Sequence, residues 1–141
     1  MRSYSRTPDI PAGQGRILVA DDDRDTLLSV SDQLAALGFD VVEEESAASA
    51  LSRIVSEVDH GAISGMLLEL KLPWIGGLVL FEEIRDRYPN IPVIVMSDAA
   101  NIARLRTAVE LGASEYLVKP FDAEILKRKC LQIFRNADQR T

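Results

Sequence analysis

Acidic, hydroxyl and amine side chains stand in this sequence where short apolar segments end. Three consecutive aspartates starting at Asp21 follow the segment Arg16–Ala20, and Glu69 follows another such segment. Ser97 and Lys119 follow two later ones. Clustered carboxylates attract Mg²⁺, which takes a few carboxylates and also accepts phosphate oxygens. A lysine ammonium and a serine hydroxyl bind further oxygens. Together these residues predict a metal-assisted phosphoryl site.

The segments that precede these side chains predict strands. Each is a short, uninterrupted apolar run, which is typical of a strand buried on both faces of a parallel sheet. Apolar residues between the strands recur at helical spacing. Asp25 or Thr26 is expected to cap the first helix, and Ile102, Leu105 and Val109 mark the fourth. Strand and helix alternate five times, which predicts a doubly wound α/β fold with five parallel strands and five helices. The ends of four of these strands then converge on one edge of the sheet.

Composition limits the range of functions. The 141 residues suit one domain, and the net charge of −6 disfavours direct nucleic-acid binding. Cys130 is the only cysteine, so no internal disulfide can form, as suits the cytoplasm. No apolar segment is long enough to span a membrane. Residues 1–15 are polar and rich in Pro and Gly, so we expect a flexible arm, a folded domain over 16–136 and a tail over 137–141.

Four segments carry a family resemblance. Ile-Leu-Val-Ala-Asp-Asp-Asp, Leu-Leu-Glu-Leu-Lys-Leu-Pro, Val-Ile-Val-Met-Ser and Tyr-Leu-Val-Lys-Pro-Phe resemble the signature segments of bacterial response-regulator receiver domains, the CheY-like domains of two-component phosphorelay signalling. The resemblance covers roughly residues 16–136. It implies a sheet of strand order 2-1-3-4-5 that accepts a phosphoryl group from a sensor histidine kinase.

The resemblance also implies roles for individual residues. Asp21 and Asp22 correspond to the acidic pair that binds Mg²⁺. Ser97 corresponds to the switch hydroxyl of the catalytic site, and Lys119 to the lysine that binds phosphate. Tyr116 corresponds to the aromatic residue that changes rotamer on activation.

Glu69 departs from the family pattern. It stands at the position of the phospho-accepting aspartate, where it would also be the third metal-binding carboxylate. Its extra methylene moves the carboxylate about 1.5 Å outward. An error of about that size in the position of an attacking atom can slow a reaction ~10²-fold. The loop that follows, Trp74-Ile75-Gly76-Gly77, also lacks the family's acidic residue.

Three functional hypotheses follow. The first is a stand-alone, atypical, non-enzymatic receiver that signals by protein contacts without phosphorylation. In that case Glu69 can imitate the phosphorylated state, which would draw Ser97 toward it and turn Tyr116 inward. The second is a conventional receiver that is phosphorylated slowly. The third, a phosphatase of the haloacid-dehalogenase class, fits poorly because Asp21-x-Asp23 is followed by Asp25 and no later Asp-Asp pair appears.

The expected partners are proteins. They are a sensor histidine kinase, a phosphotransfer protein or a downstream target, and a homodimer can form through the face of the fourth helix, fifth strand and fifth helix. That face is locally basic, and its charged residues are Arg104, Arg106, Lys127, Arg128 and Lys129. At the strand ends, Lys119 is expected to form an ion pair with Glu69 or Asp21, because no better partner for its ammonium lies at that edge.

Overall fold

The computed structural model describes residues 15–58, 63–72 and 76–135, which alternate between strands and helices. The strands are β1 (Arg16–Ala20), β2 (Asp40–Glu44), β3 (Gly65–Glu69), β4 (Val93–Asp98) and β5 (Glu115–Lys119). The helices are α1 (Arg24–Ala36), α2 (Ala47–Val58), α3 (Gly77–Arg87), α4 (Ile102–Glu110) and α5 (Ala123–Cys130). A 3₁₀ turn (Ala99–Asn101) precedes α4, and a π-helical segment (Leu131–Arg135) extends α5. The predicted tail, and the predicted arm apart from residue 15, lie outside the described residues. Within them, no helix has both the length and the apolar character needed to cross a membrane.

The five strands form one parallel sheet in the order β2-β1-β3-β4-β5. This confirms the predicted fold and strand order. The apolar sides of α1 and α5 pack against one face of the sheet, and those of α2, α3 and α4 pack against the other. The chain adds β2 on one side of β1 and then β3, β4 and β5 on the other side, so the order of the strands reverses between β1 and β3. Folds of this kind bind ligands at the carboxyl ends of the strands beside such a reversal.

Alternation along the strands explains the uninterrupted apolar runs. In β1, Ile17 and Val19 belong to the core beneath α1 and α5, whereas Leu18 and Ala20 belong to the core on the opposite face. Because successive side chains point to opposite faces and both faces are covered, all four positions must be apolar. Cys130 is buried in the first of these cores, and burial raises the pKa of its thiol to about 12.

One local prediction was wrong. The N-cap of α1 is Asp23 rather than Asp25 or Thr26, and the Thr26 hydroxyl donates to the Asp23 carboxylate at 2.6 Å. In α4, Leu105 and Ala108 are buried, but Ile102 and Val109 are exposed. At 3.6 residues per turn, Ile102 and Val109 lie about 70–90° around the helix from the middle of the buried stripe. The spacing predicted the helix correctly, and of the three residues that mark it only Leu105 is buried.

Candidate functional site

The site begins with the side chains at the carboxyl ends of three strands. Asp21 directly follows β1, Glu69 is the last residue of β3, and Lys119 is the last residue of β5. The Lys119 Nζ atom lies 2.7 Å from Asp21 Oδ2 and 2.5 Å from Glu69 Oε1. The predicted ion pair is confirmed, with both candidate carboxylates engaged at once. We call these three residues the strand-end cluster.

Backbone amides occupy the remaining carboxylate oxygens of the strand-end cluster. The backbone N–H of Asp23 donates to Asp21 Oδ1 at 2.9 Å, and that of Lys71 donates to Glu69 Oε2 at 2.8 Å. Both carboxylates are buried, with Asp21 at 0% and Glu69 at 4% exposure. Their orientation is therefore fixed at both oxygens, in a region that water barely reaches.

The pKa shifts follow from two carboxylates sharing one ammonium. Burial raises the pKa of Asp21 above its usual value, and this outweighs the lowering by the hydrogen bond from Lys119. Burial pulls the pKa of Lys119 down, but its hydrogen bonds to Asp21 and Glu69 outweigh that effect and the pKa is raised. The two raised pKa values are consistent with each other. Lys119 gains two carboxylate partners, whereas Asp21 shares one ammonium with Glu69 and also faces the negative charge of Glu69.

Ser97 lies in the same region but makes no bond to Glu69. It is in β4, one residue beyond Met96, which is the register partner of Glu69. Its hydroxyl is buried and has no hydrogen-bond partner among the described residues. An unpaired buried hydroxyl is unfavourable, so an oxygen-bearing ligand here would satisfy it.

Tyr116 contradicts the idea that Glu69 by itself imposes an active arrangement. Its side chain is not turned inward: the residue is 38% exposed, and the Lys129 ammonium lies 4.9 Å from its ring centroid. Ser97 likewise is not drawn to Glu69. The physical reason is that Lys119 and the Lys71 amide already satisfy the Glu69 carboxylate, and an ammonium is a stronger partner for it than a hydroxyl.

The predicted metal set is not assembled. Among the described residues, no three acidic, histidine or cysteine side chains form a group suited to a metal ion. Asp21 and Glu69 are held by Lys119, whereas Asp22 is exposed. Asp21 directly follows β1 and is buried beside Lys119, whereas Asp22 lies in the bend that leads into α1 and is exposed. As arranged, the Lys119 ammonium bonds to both Asp21 and Glu69, so a Mg²⁺ ion at these residues would compete with it.

An ion pair that the sequence analysis missed ties two loops beside the strand-end cluster. Lys71, two residues after Glu69, places its Nζ atom 3.1 Å from Asp98 Oδ2, one residue after Ser97. Lys71 lies two residues after β3, and Asp98 is the last residue of the adjacent strand β4. Opposite charges at two neighbouring strand ends could have indicated this ion pair from the sequence.

A groove of about 510 Å³ reaches the strand-end cluster from the side of α1. Lys119 lies on its wall, between residues of α1 and the loop that follows β5. Its other lining residues are Asp23, Asp25, Thr26, Ser29, Val30, Gln33, Asp98, Pro120 and Phe121. Solvent and small solutes therefore have a path to the Lys119 ammonium.

The face formed by α4, β5 and α5 presents most of the predicted basic residues. Arg104, Arg106, Lys127 and Arg128 are exposed. Lys129 differs, because its ammonium donates to the Tyr116 carbonyl at 2.6 Å and lies 3.4 Å from Glu115 Oε1.

Comparison with known proteins identifies the family. Residues 17–130 match the family model of the response regulator receiver domain. The response regulator protein FleR of Pseudomonas aeruginosa is 35% identical over 111 residues, which are 79% of this chain and 23% of FleR. The chemotaxis protein CheY1 of Helicobacter pylori (strain J99) is 29% identical over 117 residues, or 81% of this chain and 92% of CheY1.

Solved structures agree with these relatives. The receiver domain of NtrX from Brucella abortus has a TM-score of 0.73 at 30% identity, and the match covers 82% of this chain and 98% of that domain. A receiver domain protein from Clostridium thermocellum has a TM-score of 0.79 at 26% identity, covering 89% and 95%. The chain spans only a quarter to a half of FleR and of the probable transcriptional regulator ycf27 of Porphyridium aerugineum. On the family model, the relatives and the strand-end geometry together, the chain belongs to the response regulator receiver domain family.

Proposed function

We propose that this chain is an atypical receiver that signals through protein contacts without accepting a phosphoryl group. One observation carries the proposal: both oxygens of Glu69 are engaged, one by the Lys119 ammonium and the other by the Lys71 amide. A nucleophile in this state has no unengaged oxygen directed at a donor. The longer side chain of glutamate adds to the effect, because in-line attack tolerates little displacement.

A second candidate is a receiver that accepts a phosphoryl group slowly from a sensor histidine kinase or a phosphotransfer protein. The buried, unpaired Ser97 hydroxyl favours it, since such a hydroxyl suits a phosphoryl oxygen. The Lys119 ammonium on the wall of the groove is the second suitable group. The family match leaves no support for the phosphatase alternative.

Phosphoryl acceptance by the whole chain separates the two candidates. The wild type, Glu69→Asp and Glu69→Gln proteins are incubated with a small phosphodonor and Mg²⁺, and their intact masses are measured. We expect no added phosphoryl group on the wild type or Glu69→Gln, and one on Glu69→Asp, whose shorter carboxylate withdraws from Lys119. One phosphoryl group on the wild type, absent from Glu69→Gln, would establish the slow acceptor instead.

The proposed partners are proteins that contact the α4-β5-α5 face. The same elements expose the apolar residues Ile102, Val109 and Tyr116 together with arginines and a lysine, and a mixture of apolar and charged area is typical of interaction surfaces. A downstream target or a second copy of the chain can bind there. We propose that the domain acts as a stand-alone, non-enzymatic module in the cytoplasm and does not bind nucleic acid directly.

Mg²⁺ is proposed only as a weak ligand of Asp21, Asp22 and Glu69. The ion would have to compete with the Lys119 ammonium, which already neutralises part of the carboxylate charge. No part of the proposed signalling depends on it.

A further inference from the structure

The loop that carries Ser97 into α4 is tied down at Asp98. Its Oδ2 atom accepts from Lys71 Nζ at 3.1 Å, and its Oδ1 atom accepts from the Ala100 backbone N–H at 3.1 Å and from Asn101 Nδ2 at 2.9 Å. Among the described residues, Lys71 is the one side-chain partner of Asp98 that lies outside residues 98–101. Asp98 is the last residue of β4 and directly follows Ser97, so the Lys71 contact restrains the chain next to Ser97.

The ring of Tyr116 is held from a different element. Lys129, in the last turn of α5, donates to the Tyr116 carbonyl at 2.6 Å and lies 3.4 Å from Glu115 Oε1. The same ammonium lies 4.9 Å from the centroid of the Tyr116 ring, within the range of a cation–π interaction. Turning the ring inward breaks this contact, because the hydrogen bond to the backbone keeps the ammonium where it is.

We propose that Lys71 and Lys129 are positioning residues that hold Ser97 and Tyr116 in the resting arrangement seen here. The inference rests on the proposed function. In a receiver that is not phosphorylated, contacts within the folded chain must set the positions of Ser97 and Tyr116, and these two contacts do so. Neither lysine touches the carboxylate oxygens of Glu69 through its side chain. Their effect is therefore on the balance between two conformations rather than on the strand-end cluster.

The size of the effect follows from the kind of contact. Lys71 and Asp98 are both about half exposed, so their ion pair shifts a two-state balance by at most about fivefold. A cation–π contact at a surface shifts it about two- to fivefold. The contacts involve different strands and share no partner, so their effects should multiply to roughly 25-fold at most. A resting balance of about 1:10 between active and resting forms would then become roughly 2:1.

Substitution of each lysine tests the proposal in the full chain. NMR resonances of the Tyr116 ring and the Ser97 amide are compared in wild type, Lys71→Met, Lys129→Met and the double variant. We expect the resonances of the Tyr116 ring and of the Ser97 amide to shift in one common direction across the variants, and farthest in the double variant. Lys129→Arg keeps the cation and should return the Tyr116 ring resonances toward their wild-type positions. Lys127→Met, which removes an exposed charge from the same helix, is the matched control and should leave both unchanged.

The outcomes are distinct. Resonances of the double variant that overlay those of wild type would overturn the proposal, as would an equal shift in Lys127→Met, since the cause would then be net charge. Unfolding measurements on each variant establish that the shifts come from folded protein. The phosphodonor experiment is independent: phosphorylation of the wild type would overturn the proposed function, while the response to the two lysine substitutions would still decide this inference.

Discussion

Two groups of paired charges in this domain use similar residues under different conditions. The strand-end cluster joins Asp21, Glu69 and Lys119, with both carboxylates buried. A second group, which we call the α2 network, fastens α2 across β1 and β2. Its members are Arg16, Asp40, Glu44, Arg53 and Glu57.

Burial distinguishes the two groups. In the α2 network the Arg53 side chain is 43% exposed and pairs with Glu44 and Glu57 at 2.9 and 3.0 Å. Arg53 itself is well exposed, and without it Glu57 keeps its ion pair with Arg16, so the net stabilisation from this cation is small. In the strand-end cluster the Lys119 side chain is 19% exposed and serves two buried carboxylates. Removal of that one cation leaves charges that water cannot reach, which is costly. The number of ion pairs is thus a poor guide to their importance.

The largest expected effect is that of Lys119→Met. Two buried carboxylates lose their cation, and we expect the free energy of unfolding to fall by about 3 kcal/mol, the lower end of the range for breaking a buried pair because Lys119 is partly exposed. Urea unfolding at neutral pH measures it. A loss below about 1 kcal/mol would place the strand-end cluster in the same class as a surface pair.

The same variant tests whether Lys119 takes the place of a metal. Calorimetric titration with Mg²⁺ should show weak binding to the wild type and at least about tenfold tighter binding to Lys119→Met, because uncompensated carboxylates favour a hard cation. Asp22→Ala in that background should lose the gain. Equal affinities in wild type and Lys119→Met would contradict competition between the ammonium and the ion.

An intermediate effect is expected from Asp21→Asn, on the pH dependence of stability. Because burial raises the pKa of Asp21, the folded state holds its proton more tightly than the unfolded state. The contribution of Asp21 is therefore fully present below its ordinary pKa of 3.8 and is lost as the pH rises through the folded value. Asp21→Asn should remove this decline above about pH 4, as measured by unfolding at several pH values.

The control for that profile is Asp86→Asn, an exposed carboxylate on α3 paired with the neighbouring Arg85. Its profile should follow the wild type. If Asp21→Asn also followed the wild type, burial would not be acting on the ionisation of Asp21.

The smallest effect is expected from Arg53→Met in the α2 network. We expect a loss below about 1 kcal/mol, because Arg53 is 43% exposed and Glu57 keeps its ion pair with Arg16. Raising the salt concentration to about 1 M, where the screening length is ~3 Å, should lower the free energy of unfolding of the wild type by about the same amount as Arg53→Met does. The difference between wild type and Lys119→Met should survive the same salt. An Arg53→Met loss as large as that of Lys119→Met would remove the distinction between the two groups.

Much of the fold could be predicted because its signals are local. Apolar runs and helical spacing specified the alternation of strands and helices, and the strand ends identified Asp21, Glu69, Ser97 and Lys119 as neighbours at one edge. Ser46 and Asp122 also carry a local signal, because Ser and Asp are preferred at helix N-caps, and both side chains accept from the first turn of their helices. Which residues of α4 face the core could not be predicted, because the width of the buried side of a helix depends on how closely the strands beneath it approach.

The sequence by itself determined which chemical groups stand at the strand ends, and hence the family and the kind of site. Only the tertiary structure decided which of them meet. Lys119 bonds to residues 98 and 50 positions away, and the strand order brings it between Asp21 and Glu69. The bend after β1 leaves Asp22 in solvent, whereas Asp21 is buried. Partner choice at a buried site depends on distance, desolvation and competition among all the groups present, and these quantities arise only when distant segments pack together.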